Sequence, residues 1–506
     1  MFSSDLPLWA TLVLGVHFSL LLALSVFGLH RLSMVFRWYL HRNDEPIAHT
    51  TFSTLPKITV QVPIYNERTV AQRIVDAVAA FDYPKDRLQI QIVDDSTDET
   101  IRLIAARVAH HKADGIDISH VQRTDRKGYK AGALKHAMQY STGEFIAIFD
   151  ADFIPVPSLL RDTIDHFADE VVGMVQYRWE HLNRFRSKLT ETQAMVLDAH
   201  FGIEQKVRCS SGVLLNFNGT AGMWRADAII DAGHWSADTL TEDLDLSYRA
   251  QMRGWKLQYL NTISCQGELP ADMNAFKSQQ HRWVKGGVQV MKKLLGKVWR
   301  SPISLKAKLE ATYHLSNNLA YLVMLVHTAF LLLPSIWVRD HFGLEYLLWL
   351  DLPLLVLSSG GHLVYLVFGQ YALKRSMKTA FLNVPRLMLL GIQLAFNNAK
   401  AATEALRGNE SEFVRTPKSG DLGNSNMPMQ GSEKESSGTA TQLYKAVAPK
   451  GAFTELLLAV IYTVVFLWAT YIQMWFVLPF LLLLMLGFID AACRNFFGQL
   501  KLKQQP

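Results

Sequence analysis

Apolar residues are unevenly spread along this chain: both ends hold long uncharged runs, and the middle alternates short apolar stretches with polar ones. Leu6 to Leu29 contains no acid or base, only His17. At about 1.5 Å per helical residue it is long enough to cross a hydrocarbon core of ~30 Å. The same pattern predicts spans at Leu315–Val338, Tyr346–Phe368, Phe453–Gln473 and Trp475–Ala492. Thr379–Phe396 differs. Asn383, Pro385 and Arg386 interrupt it and Asn397, Asn398 and Lys400 follow, which predicts a helix lying at the membrane interface.

Between the first two spans the period changes. "ITVQVPIYNE" predicts a strand and loop, Val70–Phe81 a helix, and "LQIQIVDDS" a second strand. "IDISHVQRT", a helix over Gly132–Tyr140 and "EFIAIFDAD" repeat the alternation, which predicts an α/β domain with a parallel sheet and crossover helices. Phe145, Ile146, Ile148 and Phe149 form the near-continuous apolar run of a central strand covered on both faces. Polar groups cluster where strands should stop: Glu67, then Asp94 and Asp95, then Asp150 and Asp152. In open α/β sheets the carboxyl ends of the strands line the ligand crevice, and period two puts Asp150 and Asp152 on one side.

Charge fixes the expected orientation. Asp5 precedes the first span, whereas Arg31, Arg37, His41 and Arg42 follow it, an order opposite to that of a cleaved signal peptide. Lys374, Arg375 and Lys378 follow the third span, and Arg494, Lys501 and Lys503 follow the last. Basic flanks face the cytoplasm, so five crossings are expected, with the N-terminus outside and the α/β domain cytoplasmic. The net charge of +6 is that of a multi-pass protein with such flanks and implies no nucleic-acid partner. Cys209, Cys265 and Cys493 have no metal-ligand spacing and are expected to be ordinary buried thiols. From Gly408 to Lys450 the composition turns to Ser, Gly, Asn, Lys and Glu, predicting a cytoplasmic, largely disordered loop. The expected organisation is a membrane segment over 1–42, a cytoplasmic domain over 43–312, two spans over 313–370, an interfacial region over 371–407, the loop over 408–450, and two spans with a tail over 451–506.

Three local patterns carry candidate chemistry. Asp150 and Asp152 suit a hard divalent cation, Mg²⁺ or Mn²⁺, that would hold a diphosphate; the same pair is also compatible with a solvated strand-to-loop turn. "TLTEDLDLSYRAQMRGW" predicts a helix with Thr241 as N-cap and Leu244, Tyr248 and Met252 facing inward. Capping electrostatics would account for Glu242 and Asp243, and so would a general base at Asp243. In "ELPADMNAFKSQQHRWVKGG", Gln279, Arg282 and Trp283 share one face of a helix starting near Asp272. Arg can grip phosphate, Gln can read hydroxyls and Trp can offer a flat wall, while an interfacial amphipathic helix is the structural alternative.

The ordered motifs "DDSTDET", "GYKAGALKHAM", "FDADF", "FNGTAGMWR", "TEDLDLSYRA" and "QQHRW" resemble glycosyltransferase family 2, in particular its membrane-embedded cellulose-synthase-like branch and the plant-type β-mannan and glucomannan synthases with their bacterial relatives. The likeness covers about Ile58 to Gln289. It implies a nucleotide-diphospho-sugar transferase (GT-A) fold inserted between transmembrane helices. It further implies Glu67, Asp95 and Lys130 at the nucleotide, Asp150 and Asp152 as metal and diphosphate ligands, and Asp243 as catalytic base. Arg282 would hold the departing diphosphate and Trp283 would stack under the acceptor sugar beside Gln279, with Asn218, Gly219 and Thr220 on the acceptor-side loop. "FVRTPK" is similar to the gating loop of such synthases, with Phe413, Thr416 and Lys418. The implied donor is GDP-mannose or UDP-glucose, the acceptor a glycan or a lipid, and the reaction an inverting transfer that makes a β-linked polysaccharide. "FNGT" departs from the "FFCGS"-type motif of bacterial cellulose synthases, which points away from cellulose. A bacterial inner membrane, or a Golgi-type membrane in a eukaryote, is the implied location. A non-processive glycolipid synthase is the rival reading. A non-enzymatic scaffold leaves the clustered acids unexplained, since crowded carboxylates repel unless a cation binds.

Overall fold

The structure, a computed structural model, describes residues 6–409, 418, 420, 452–475 and 477–503. Its α/β domain is built on eight strands among the described residues: β1 Ile58–Ile64, β2 Leu88–Asp94, β3 Ile118–Gln122, β4 Phe145–Ile148, β5 Phe153–Ile154, β6 Val172–His181, β7 Gly222–Arg225 and β8 Lys256–Gly267. They form one sheet in the order β3-β2-β1-β4-β7-β6-β8-β5. The first half is parallel, as the alternating pattern predicts: β1 pairs with β2 and β4, and β2 with β3. Phe145 to Phe149 are at most 1% exposed, so β4 is covered on both faces.

Beyond β4, where the sequence pattern assigned no strand directions, the sheet is mixed. β7 runs antiparallel to both β4 and β6, β6 runs parallel to β8, and β5 closes the edge antiparallel to β8. Strand direction is set by the connections, here a helical excursion over Lys188–Ser210 between β6 and β7, and an apolar run carries no mark of its direction. Two helices differ slightly from expectation: Ala71–Ala79 stands within the predicted Val70–Phe81, and Tyr129–Ala137 with a 3₁₀ turn at Met138–Tyr140 replaces Gly132–Tyr140.

Four helical stretches among the described residues are long and apolar enough to cross a membrane: Leu8–His41, Leu319–Phe342, Glu345–Ala372 and Thr454–Tyr471. The fifth expected span corresponds to a shorter apolar stretch, Leu478–Cys493, within a helix that runs to Lys503. Much of their apolar surface faces outward, as at Leu12, Leu22, Trp349, Val464 and Leu467. The region expected at the interface is not among the four. It breaks at Asn383, just before Pro385, into helices Met377–Leu382 and Val384–Arg407. The second buries Leu387, Leu390, Leu394 and Ala402 against its neighbours and leaves Arg386 and Lys400 exposed. It is bonded to the helix Met273–Arg300, through Asn397 Nδ2 to the Lys277 carbonyl at 2.9 Å and Lys285 Nζ to Glu404 at 3.2 Å. Lys277 reaches Glu455 of the next apolar helix at 2.7 Å, so the domain and the apolar helices are joined by buried charge pairs. Of the cysteines, Cys265 is buried and Cys209 partly so, but Cys493 is exposed, contrary to expectation.

Candidate active site

The carboxyl ends of β1, β2 and β4 open into a cavity of about 190 Å³. Glu67 lies on its wall in the turn after β1. Beyond β2 the two acids part company, because alternation turns them to opposite faces. Asp95 lines the cavity, held by the guanidinium of Arg123 through both carboxylate oxygens. Asp94 is buried elsewhere, accepting from the Ser96 backbone N–H at 2.9 Å and bonded to His120 Nε2 at 2.8 Å. The expectation that both acids meet at the site is corrected accordingly.

Asp150 and Asp152 both line the cavity, and each meets an ammonium group. Lys130 Nζ stands 2.5 Å from Asp150 Oδ1 and donates to the Gly219 carbonyl at 2.9 Å. Burial opposes the Lys130 charge, but Asp150, Glu242 and Asp243 outweigh it and raise the pKa above the ordinary lysine value. Lys418 Nζ stands 2.5 Å from Asp152 Oδ2. Its own carbonyl accepts from Thr69 Oγ1 at 3.2 Å, and the Gly420 N–H donates to Glu268 at 3.1 Å. Phe413 and Thr416, named with Lys418 as a gating loop, lie outside the described residues.

The loop Asn218-Gly219-Thr220 is welded to this strand end. Thr220 stands behind the wall, its hydroxyl accepting the Asp150 backbone N–H at 2.7 Å, while Asn218 and Gly219 face the cavity. Gly219 has φ +84°, and a Cβ there would sit 2.9 Å from Asp243 Oδ2. The backbone conformation favours glycine, and a side chain there would push the Asp243 carboxylate aside.

Asp243 occupies the first turn of helix Glu242–Met252, its Oδ1 accepting from the Leu244 N–H at 2.8 Å. Burial, reinforced by the charge of Glu242, pushes its pKa from the usual 3.8 up to about 7. Thr241 holds the N-cap position, yet its hydroxyl makes no hydrogen bond among the described residues, so the side-chain cap expected there is not formed. Leu244, Tyr248 and Met252 pack inward together as expected.

The opposite wall comes from helix Met273–Arg300, capped by Asp272, which accepts from the N–H groups of Asn274 and Ala275 at 2.8 and 3.1 Å. Gln279, Arg282 and Trp283 all line the cavity. Burial pulls the Arg282 pKa down, against the upward pull of Glu242, Asp150, Asp243 and Asp152, which surround it with negative charge. Farther along, Gly286 permits contact with the turn bearing Asp243: a Cβ there would lie 2.6 Å from Thr241 Cγ2 and 2.9 Å from its backbone nitrogen.

Sequence reasoning missed several wall residues. The Arg126 guanidinium lies 3.3 Å from the centre of the Tyr65 ring, and both line the cavity near Asp95. "QRTDRKGYK" contains that arginine, but its partner across the fold is invisible there. Trp179 and His181 of β6 also face the cavity. Burial, then the charge of Arg184, holds the His181 imidazole neutral with a pKa near 3.

Residues 56–286 match the family described as "Glycosyltransferase like family 2". The chain is 38% identical over 312 residues to glucomannan 4-beta-mannosyltransferase 1 of Oryza sativa subsp. japonica, a match covering 59% of this chain and 58% of that protein. It is 40% identical over 264 residues to glucomannan 4-beta-mannosyltransferase 2 of Arabidopsis thaliana, covering 51% and 49%. The chain thus spans about half the length of the curated relatives it matches. Among solved structures, the mannosyltransferase PcManGT from Pyrobaculum calidifontis in complex with GDP-Man and Mn²⁺ superposes with a TM-score of 0.50 at 19% identity, covering 79% of this chain and all of that one. That likeness concerns the fold. Residues 56–286 thus match glycosyltransferase family 2 in sequence and carry a GT-A-like fold, flanked by apolar helices, and the chain is similar to the glucomannan 4-beta-mannosyltransferases.

Proposed function

We propose that the protein is a membrane-embedded inverting β-glycosyltransferase that moves a hexosyl group from a nucleotide sugar, GDP-mannose first, onto the end of a β-linked polysaccharide of mannan or glucomannan type. The observation that carries the reading is the convergence on one cavity of Asp150, Asp152, Asp243 and the Gln279, Arg282, Trp283 face. The names of the relatives from Oryza sativa and Arabidopsis thaliana favour mannose over glucose.

Asp150 and Asp152 fit a divalent cation. They supply hard oxygen donors, and two ammonium groups stand at 2.5 Å on them, so the pair calls for compensating positive charge. Mg²⁺ or Mn²⁺ bound there would act as a Lewis acid toward the diphosphate. The remaining work falls to the chain itself. Glu67, Asp95 and the Tyr65–Arg126 stack form the wall suited to the nucleoside. Lys130 and Arg282 balance the charge that gathers on the leaving diphosphate. Trp283 offers a flat face to the acceptor sugar, with Gln279 and Asn218 for its hydroxyls. Asp243 takes the proton of the attacking hydroxyl as the new C1–O bond forms and the C1–O(phosphate) bond breaks, so the α-linked donor yields a β-linkage. With the domain cytoplasmic, the apolar helices would pass the product outward.

The test is a screen of GDP-mannose and UDP-glucose with purified protein in Mg²⁺ or Mn²⁺, followed by linkage analysis. Label should collect in an aqueous, high-mass fraction that β-mannanase degrades, and excess chelator should abolish it. Label extracting into organic solvent as a mono- or disaccharide lipid would replace the polymer reading with that of a glycolipid synthase. Full activity in chelator would remove the metal.

A further inference from the structure

The acceptor-side loop is gripped from behind by a short irregular helix. His200–Gln205 winds as a π-helix between the α-helical segments Lys188–Ala199 and Lys206–Ser210. Both ends of that π-turn bond one side chain. His200 Nε2 lies 3.0 Å from Asn218 Nδ2, and Gln205 Nε2 donates to Asn218 Oδ1. In a regular α-helix of 3.6 residues per turn, residues five apart point about 140° away from each other and could not share a partner. In the i to i+5 register of a π-helix they stack on one side. The extra residue in the turn is therefore what lets His200 and Gln205 clamp the same amide.

The bonding pattern also fixes the imidazole's tautomer. The Asn218 amide NH₂ is the donor, so His200 Nε2 accepts and the ring proton sits on Nδ1, which faces Glu204 Oε2 at 3.4 Å. Glu204 is buried and belongs to a larger network. Arg31 of the apolar helix Leu8–His41 stands at 2.7 Å, Arg208 at 2.9 Å, and the Tyr365 hydroxyl of the apolar stretch Glu345–Ala372 at 3.3 Å. Burial would raise the Glu204 pKa, but Arg31 and Arg208 outweigh it and hold the carboxyl well below its usual range, so it stays ionised and keeps accepting.

Building on the transferase reading above, we propose that His200 is a positioning residue for the acceptor: it sets which way the Asn218 amide points into the cavity and ties that amide, through Glu204, to the helices carrying Arg31 and Tyr365. With one N–H of the Asn218 amide spent on His200 and its oxygen on Gln205, the remaining N–H is the group left to meet a sugar hydroxyl. Without the His200 bond the amide is held from one side only, through its oxygen and Gln205, and the direction of the remaining N–H is no longer fixed. The chemistry recognised is a β-linked hexosyl chain end.

The test compares two small polar variants in the full chain. His200→Gln can return an acceptor at the distance of Nε2; His200→Asn is too short to reach Asn218 while still able to meet Glu204. Initial rates with radiolabelled GDP-mannose are measured against mannobiose as the acceptor probe, with release of mannose to water measured separately. His200→Asn should raise the acceptor KM about tenfold or more with donor KM and hydrolysis unchanged, and His200→Gln should restore most of it. In the pair His200→Asn and Asn218→Ala, the second change should add little to the first, as for two residues acting through one contact. Equal acceptor KM for the wild type and His200→Asn would overturn the positioning role while the transferase reading stands. Parallel losses in donor KM and hydrolysis would also overturn it, since they mark a disturbed fold. A wild type that releases neither mannose nor GDP overturns both readings together.

Discussion

In the proposed mechanism Asp243 is the base, and its environment makes that role pH-dependent. A carboxyl whose pKa rises to about 7 in the folded chain is a stronger base than an exposed aspartate, but below that pH it is mostly protonated and cannot accept. Transfer should therefore fall along an acid limb centred near pH 7, and Asp243→Asn should cut kcat by roughly 10²–10⁴-fold and remove the limb, as read from pH–rate profiles. The stability sign is fixed as well. Because the folded pKa lies above the unfolded one, the neutral form is favoured by folding, and this contribution is complete below about pH 4 and lost as pH rises through 7. Thermal unfolding at several pH values should show that decline in the wild type and its loss in Asp243→Asn. Lys418 supports a second prediction. Its ammonium sits where a cation on Asp152 would sit, so the two compete, and Lys418→Met should lower the Mn²⁺ concentration needed for half-maximal nucleotide binding several-fold. An unchanged requirement would mean that the segment leaves Asp152 whenever substrate arrives.

At the level of elements, the helix Met273–Arg300 does two jobs. Its first half presents Gln279, Arg282 and Trp283 to the cavity, and its second half fixes how closely that face approaches the turn carrying Asp243. Gly286 sets the approach. Even a methyl group there must displace Thr241, backbone included, so Gly286→Ala should reduce transfer by up to about 10²-fold through misplacement of the base. Nucleotide affinity should hardly change, because Tyr65, Asp95 and Arg126 lie on the β1–β3 side. A matching fall in both would show that the helix shapes the whole cavity. The packing of this helix with Val384–Arg407, through Lys285–Glu404 and Asn397–Lys277, joins the Gln279, Arg282 and Trp283 wall to the helices that follow the α/β domain.

For the whole molecule, the charge pattern predicts how the apolar helices are threaded. Basic flanks after Leu8–His41 and Glu345–Ala372 predict that both points face the cytoplasm. Accessibility tags at Ser419 and at the C-terminus should report the cytoplasmic side, and one at Asp340 the opposite side. A C-terminal tag found outside would mean an even number of crossings, with the region 377–407 as the additional one. Trp283→Ala belongs to this scale too, because a stacking platform retains a long chain between additions: the product should shorten while hydrolysis of the donor to water continues.

Much of this was legible along the chain because it is local. Short apolar runs bounded by polar loops gave β1, β2 and β4, the acids stood at strand ends as the sheet requires, and the i, i+3, i+4 spacing put Gln279, Arg282 and Trp283 on one face. Long uncharged runs identified the apolar helices for the same reason, since their length and composition are properties of a single stretch. Other features were decided only by the tertiary structure. The direction of β7, the arrival of Lys418 at a carboxylate 266 positions away, the stacking of Arg126 on Tyr65 and the line from Arg31 through Glu204 and His200 to Asn218 all join distant parts of the chain. A lysine, arginine or histidine destined for such a contact looks, in its own neighbourhood, like any solvated one. Its partner is chosen by the packing of the sheet against the helices, a long-range property that leaves no period in the sequence.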